Sequence, residues 1–304
     1  MRHHRLQTTA SALLILGVCL SYLVPCLFAT EIISNNISDT TYYSLLQPSY
    51  QPPTLSSRSS QWWPMFHHNA NHTGFIESNA PHSIRRTWSF SADNDFKSSP
   101  AIVDYKVYVG SDDFNIYCLD LYTGSKLWEY TTGNEVFSSP AIVDGKLFIG
   151  SNNKKLYCLD AETGDLIWTY TSYDEIRSSP TIYNGRVYVG SRDGRVYCLD
   201  ADDGSEVWRF STGGAVYASP AVVDDRVYIG SWDTMLYCLD AEHGYLHWSY
   251  ATGDVILSSP AVADEKVYVG SNDQKVYCID AIEGNFLWSY TTGGDIHSLS
   301  LIHI

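Results

Sequence analysis

The chain has 304 residues, a formal net charge of −15 and an aromatic content of 14%. Such acidity repels a phosphate backbone, and no lysine- or arginine-rich run offsets it, which argues against a nucleic-acid partner. Length and composition suit one large all-β domain behind an N-terminal leader.

Residues 1–30 read as a signal peptide or an N-terminal membrane anchor. Arg2 and Arg5 form a basic flank, and Ser11 to Ala29 is uncharged and mostly apolar. Pro25 and the small Ala29 suit cleavage, while the length of the run also suits a membrane span. Cys19 follows Val18 and Cys26 follows Pro25, so neither has the small preceding residue that lipidation needs. The basic flank precedes the apolar run, which predicts an extracytoplasmic domain, secreted or held to the membrane only through this segment.

Residues 31–61 are rich in Ser, Thr, Tyr and Pro without a hydrophobic period, and read as a flexible linker. Asn36-Ile37-Ser38 and Asn71-His72-Thr73 are glycosylation sequons. Trp62 to Gly74 concentrates aromatics with His67, His68 and His72. Histidines at i, i+1 and i+5 match no common ligand spacing, so the expectation is an aromatic plug against the domain rather than a metal site.

From Ser98 to His297 the chain repeats every 40 residues without insertions. Pro100, Pro140, Pro180, Pro220 and Pro260 keep one register, and Cys118, Cys158, Cys198, Cys238 and Cys278 keep another. Trp128, Trp168, Trp208, Trp248 and Trp288 keep a third, which Trp88 extends backwards inside Arg85 to Phe90. The second copy splits into β runs at Ser139–Val143, Lys146–Ser151, Lys155–Asp160 and Leu166–Thr171. Asp144-Gly145 signals a hairpin, and Asp160 to Gly164 forms a second turn with glycine at positive φ. Four short antiparallel strands per repeat make one propeller blade.

Proline cannot donate to a ladder, so its series belongs on the inner edge strand. Runs such as Val187-Tyr188-Val189 are apolar on both faces and suit blades stacked face to face. Gly150 interrupts its strand, which predicts close approach of a bulky group; the tryptophan series is the expected one. The Asp160 series should accept hydrogen bonds from its own turn. The cysteines recur one per blade, too far apart for disulfides or a shared metal, and read as small buried apolar side chains.

Leu159-Asp160-Ala161-Glu162-Thr163-Gly164 followed by Leu166-Ile167-Trp168 resembles the tryptophan-docking motif of the PQQ-like β-propeller repeat family. Trp63-Pro64-Met65-Phe66 with His72-Thr73-Gly74 is similar to the preamble that precedes such repeats. The resemblance covers about Trp62 to Ser298 and implies a β-propeller with each tryptophan packed between blades. It does not imply a cofactor, since the family includes quinoprotein dehydrogenases and also a non-catalytic outer-membrane assembly scaffold. Ser298 to Ile304 starts a sixth copy that lacks its proline. The expectation is five complete blades plus partial ones, from a C-terminally truncated ring of about seven or eight; an open arc that pairs with another chain is the competing expectation.

Residues that vary between copies are free to specify a ligand. The turns between second and third strands and the links between blades lie on one face of an up-and-down propeller. There Lys97, Phe114, Phe137, Arg177, Arg192, Tyr217, Trp232, Leu257 and His297 form a mixed aromatic and cationic ring, the candidate ligand-binding site at the channel mouth. No catalytic triad, phosphate loop, metal site or cofactor site is expected. The reading is a non-enzymatic scaffold binding a protein or glycan partner at the cell surface. The alternatives are a PQQ-dependent dehydrogenase, or an adhesin or sensor ectodomain that recognises glycan or peptide.

Overall fold

A computed structural model describes residues 64–66, 68–72 and 86–298. The signal or anchor segment, the linker and Leu299 to Ile304 lie outside the described residues, as do Trp62, Trp63 and His67.

The described chain is all strand and turn, arranged as five blades. Blade 1 holds β1 (Ala101–Val103), β2 (Lys106–Gly110), β3 (Asn115–Asp120) and β4 (Lys126–Thr131). Blade 2 holds β5 (Ala141–Val143), β6 (Lys146–Gly150), β7 (Lys155–Asp160) and β8 (Leu166–Thr171). Blade 3 holds β9 (Thr181–Tyr183), β10 (Arg186–Ser191), β11 (Arg195–Asp200) and β12 (Glu206–Ser211). Blade 4 holds β13 (Ala221–Val223), β14 (Arg226–Gly230), β15 (Met235–Asp240) and β16 (Leu246–Ala251). Blade 5 holds β17 (Ala261–Ala263), β18 (Lys266–Gly270), β19 (Lys275–Asp280) and β20 (Phe286–Thr291). Within each blade the strands pair antiparallel in chain order, the β-propeller arrangement that the repeats predict.

Each inner strand begins two residues later than the apolar pattern suggests, at Ala141 rather than Ser139. Pro140 has no amide to give, and the Ser139 amide is already committed sideways. It donates to Ser179 Oγ of the next blade, as Ser99 does to Ser139, Ser179 to Ser219 and Ser219 to Ser259, each at 2.9 Å. This serine ladder ties the inner walls together around the axis.

The blade interfaces repeat one contact set. Trp168 Nε1 donates to the Ala201 carbonyl of the following blade at 3.3 Å, and Trp128, Trp208 and Trp248 make the same bond to Ala161, Ala241 and Ala281. The ring lies flat on the turn glycine of that blade, Gly204 for Trp168, where φ is +73° and an added Cβ would come within 2.6 Å of the indole. Glycine adopts that φ without strain and, having no Cβ, forms the floor of the indole slot. The Gly150 series does a different task from the one expected: Gly150 makes room for Ile176, not for a tryptophan, with 2.3 Å between a built Cβ and Ile176 Cγ2. The link residue Ile176, like Val136, Val216 and Ile256, is fully buried and pins the blade-to-blade connection. Trp88 docks on Gly124 and donates to the Leu121 carbonyl at 2.8 Å, as the sequence register predicts, although residues 86–98 form no assigned strand. With Phe90 and Phe96 it covers the leading face of blade 1. On the trailing face of blade 5, Trp288 is 44% exposed, against 8% for Trp208.

Among the described residues, the five repeat cysteines are buried and unpaired. Asp160 Oδ1 accepts the amides of Glu162 and Thr163 at 2.9 and 2.8 Å. These bonds, first that from Thr163, hold its carboxyl below the usual range.

Residues 64–66 and 68–72 lie against the inner strands. The carbonyls of Pro64, Ala70 and Asn71 accept from the amides of Ile142, Val222 and Val262 on three different inner strands, at 2.7, 2.8 and 3.0 Å. Met65 is buried between blades 2 and 3. His72 is fully buried, with Nδ1 donating to the Pro260 carbonyl at 3.0 Å and Nε2 3.3 Å from Thr181 Oγ1. The segment is thus the expected plug, secured mainly by backbone and His72. Its backbone bonds fall on the middle residues of β5, β13 and β17, and its His72 bonds on Thr181 and Pro260.

Candidate functional site at the mouth of the propeller

On the link face, five of the ring residues come together as one run. Lys97 Nζ lies 4.5 Å from the centroid of the Phe137 ring, and the Arg177 guanidinium lies 4.7 Å from the same centroid. Arg177 also lies 5.9 Å from the Tyr217 ring, and Tyr217 packs on Trp232 with centroids 5.1 Å apart. The blade links of four successive blades thus present alternating cation and aromatic ring, a geometry stabilised by the ring quadrupole. Two link residues meet the first residue of the adjacent turn fifteen positions on: Lys97 pairs with Asp112 at 2.7 Å, and Tyr217 with Trp232.

Arg192 joins through a carboxylate that the sequence reading passed over. Glu175 Oε2 takes Arg177 Nε at 2.8 Å and Nη2 at 2.7 Å, while Oε1 takes Arg192 Nη1 at 3.1 Å. Two guanidiniums therefore share one carboxylate. Tyr217 and Glu175 both push the Arg192 guanidinium above its ordinary value. A carboxylate two residues before a ring position was the available sequence signal, but it needed the fold to be read.

Trp232 has its place because of Gly214. Gly214 would meet Trp232 Cβ at 3.1 Å and the Asp233 amide at 2.6 Å if it carried a Cβ. At the equivalent position Asn134, Asp174 and Asp254 each cap the following amide through a side-chain oxygen. Gly214 gives up that polar cap and admits an indole that remains 46% exposed.

Phe114, Leu257 and His297 stand outside the run. Phe114 occupies the third turn position at φ +77° with an exposed ring, Leu257 is half-buried, and His297 is exposed at the edge of blade 5. Among the described residues no three His, Cys, Asp or Glu side chains converge as a metal-ligand set, and no helix is long and apolar enough to cross a membrane.

Comparison with known proteins places these blades. The family described as outer membrane protein assembly factor BamB, of the PQQ repeat type, matches residues 78–149, 115–213 and 192–302. The chain belongs to this family. No curated protein matches the sequence. Among solved structures, BamB from Moraxella catarrhalis is 18% identical with a TM-score of 0.51, covering 71% of this chain and 80% of its own. A europium-containing methanol dehydrogenase is 17% identical with a TM-score of 0.66, over 76% of this chain. The quinohemoprotein alcohol dehydrogenase from Comamonas testosteroni is 17% identical with a TM-score of 0.68, also over 76% of this chain. This chain spans 58% and 49% of those two dehydrogenases. At these identities the likeness is one of fold.

Proposed function

We propose that this protein is an extracytoplasmic, non-catalytic propeller scaffold that binds a protein partner at the mouth described above. The observation that carries the reading is the division of labour between repeated and unrepeated positions. The docking tryptophans, turn glycines and serine ladder are the same in successive blades. The mouth is built from the positions that differ, and they join into one continuous surface of Trp, Tyr, Phe and Arg. Those residue types dominate the energetics of protein interfaces. The family's own description, an assembly factor of the outer membrane, supports the same reading, and the basic-then-apolar N-terminus supports export.

The test is affinity capture with chemical crosslinking from envelope extracts of the native cell, comparing the wild-type chain with a Phe137→Ala/Tyr217→Ala/Trp232→Ala variant. A partner held by the wild type and lost by the variant is expected. A parallel assay adds PQQ and calcium and follows dye reduction with alcohols or sugars. Turnover there would replace the scaffold reading with a dehydrogenase, and specific capture of glycans without protein would replace it with an adhesin.

A further inference from the structure

The wall that holds residues 64–66 and 68–72 is built from repeats, and much of what it offers the segment recurs in every blade. The amides that take the segment's carbonyls belong to Ile142, Val222 and Val262, the middle residues of β5, β13 and β17. These three occupy one register of the repeat, and Ile102 and Ile182 hold the same place in β1 and β9. Pro260, whose carbonyl takes His72 Nδ1 at 3.0 Å, has equivalents at Pro100, Pro140, Pro180 and Pro220. A segment bound by these groups alone would meet the same partners after a step of one blade. Pairing with a repeated wall leaves the register weakly specified unless something unrepeated fixes it.

The first residue of the inner strand is such a feature. Ala101, Ala141, Ala221 and Ala261 stand there in four blades, and Thr181 stands there in blade 3. Thr181 is 1% exposed and His72 is fully buried. The Thr181 hydroxyl donates to the Pro220 carbonyl at 2.6 Å, which fixes its direction, and His72 Nε2 lies 3.3 Å from the same oxygen. His72 itself is held at φ +58°, in the left-handed region where a side chain is strained. Such strain persists only where the surroundings over-determine the residue; here the ring is gripped by blades 3 and 5 together. In a register that puts an alanine there, the buried Nε2 meets a methyl group, and a buried polar atom without a partner is costly.

We propose that His72 and Thr181 form a register key, which selects one seat for the segment among seats related by the repeat. In that seat the backbone bridges blades 2, 4 and 5, and His72 bridges blades 3 and 5. The seat that the key excludes lies one blade back. There the carbonyls of Pro64, Ala70 and Asn71 would face Ile102, Ile182 and Val222, and His72 would face Ala141 and Pro220. A single buried polar residue sets the register of a coiled coil in the same way, by making every other alignment leave it unpaired.

Moving the key tests this. The full chain carrying Thr181→Ala and Ala141→Thr together is compared with the wild type by amide hydrogen exchange, read by nuclear magnetic resonance. Both changes use residues that already stand at this register in other blades, so near-ultraviolet circular dichroism should match the wild type. Protection is expected to move from Val262 to Ile102, by at least about tenfold at each, while Val222 stays protected. The Met65 methyl, buried between blades 2 and 3, should shift with the segment. Thr181→Ala alone should give two Met65 methyl signals, and Thr181→Ser should restore one. Protection that stays at Val262 in the double variant overturns the proposal, because the segment then finds its seat without the threonine. Fast exchange at both Val262 and Ile102 overturns it as well, because the moved key then fails to seat the segment. Should the double variant not fold, Ala141→Thr alone decides: two keys are expected to give two Met65 signals, and a single unshifted signal overturns the proposal.

Discussion

Cys198 shows how far a residue's surroundings decide its chemistry. Burial among Tyr188, Trp208 and the next blade pushes its thiol from 9.0 up to about 12, and the same burial takes Cys118 and Cys158 to about 12 and Cys238 to about 11. A raised thiol is inert, since the thiolate is the nucleophile. Iodoacetamide at neutral pH is therefore expected to label none of these four in the folded protein and all of them in urea; rapid labelling of Cys198 in the native state would show that the blade interface opens easily. The linkage runs toward alkali. A group whose folded pKa is raised stabilises the fold fully below its unfolded value, and that contribution is lost as pH rises toward the folded value. Melting temperature should be flat from pH 7 to about 8.5 and fall between about 9 and 12, less steeply in Cys198→Ala. A curve of the same slope in that variant would remove the thiol from the explanation. The cysteine series was readable as buried and unpaired because identical positions one blade apart cannot meet.

Among elements, the blade seam is the unit of stability. Trp208 is buried, hydrogen-bonded to Ala241 and laid on Gly244, whereas Trp288 has its ring open to solvent. Trp208→Ala should cost about 3–5 kcal/mol, the usual range for a buried aromatic, and Trp288→Ala less than about 1. Urea titrations followed by circular dichroism would compare the two, and equal losses would mean that the face of blade 5 is covered in solution. The strand pattern was legible to within two residues because a strict period averages out local ambiguity. Two details were not. Ser139 looks like the start of a strand, and only the neighbouring blade shows that its amide goes to Ser179. Gly150 advertises a close approach, but whether Ile176 or a tryptophan makes it depends on which side of the sheet faces which blade. The ring positions of the mouth could be named from sequence, since link and turn share a face. Their grouping could not: Glu175 matters only because it reaches two arginines 2 and 17 residues away.

For the whole molecule, the axial segment ties together blades that are not neighbours in the chain. His72 reaches blades 3 and 5 at once, through Thr181 Oγ1 and the Pro260 carbonyl. Replacing it by leucine strands a buried carbonyl and is expected to destabilise by about 1–3 kcal/mol. Hydrogen exchange should show the loss first at the Val222 and Val262 amides, which residues 70 and 71 protect; unchanged protection there would mean that the backbone contacts alone seat the segment. A second property follows from the seams. Because each one uses the same tryptophan, glycine and serine, a blade cannot tell which neighbour it has. Units of 40 residues could be exchanged, duplicated or removed in register with the repeated tryptophan, glycine and serine contacts preserved. The mouth has no such indifference, since Arg177 needs Phe137 before it and Tyr217 after it. Shuffled versions of this chain would then share a melting curve while differing in what they bind, so that stability is inherited from the copy and specificity from the order of copies.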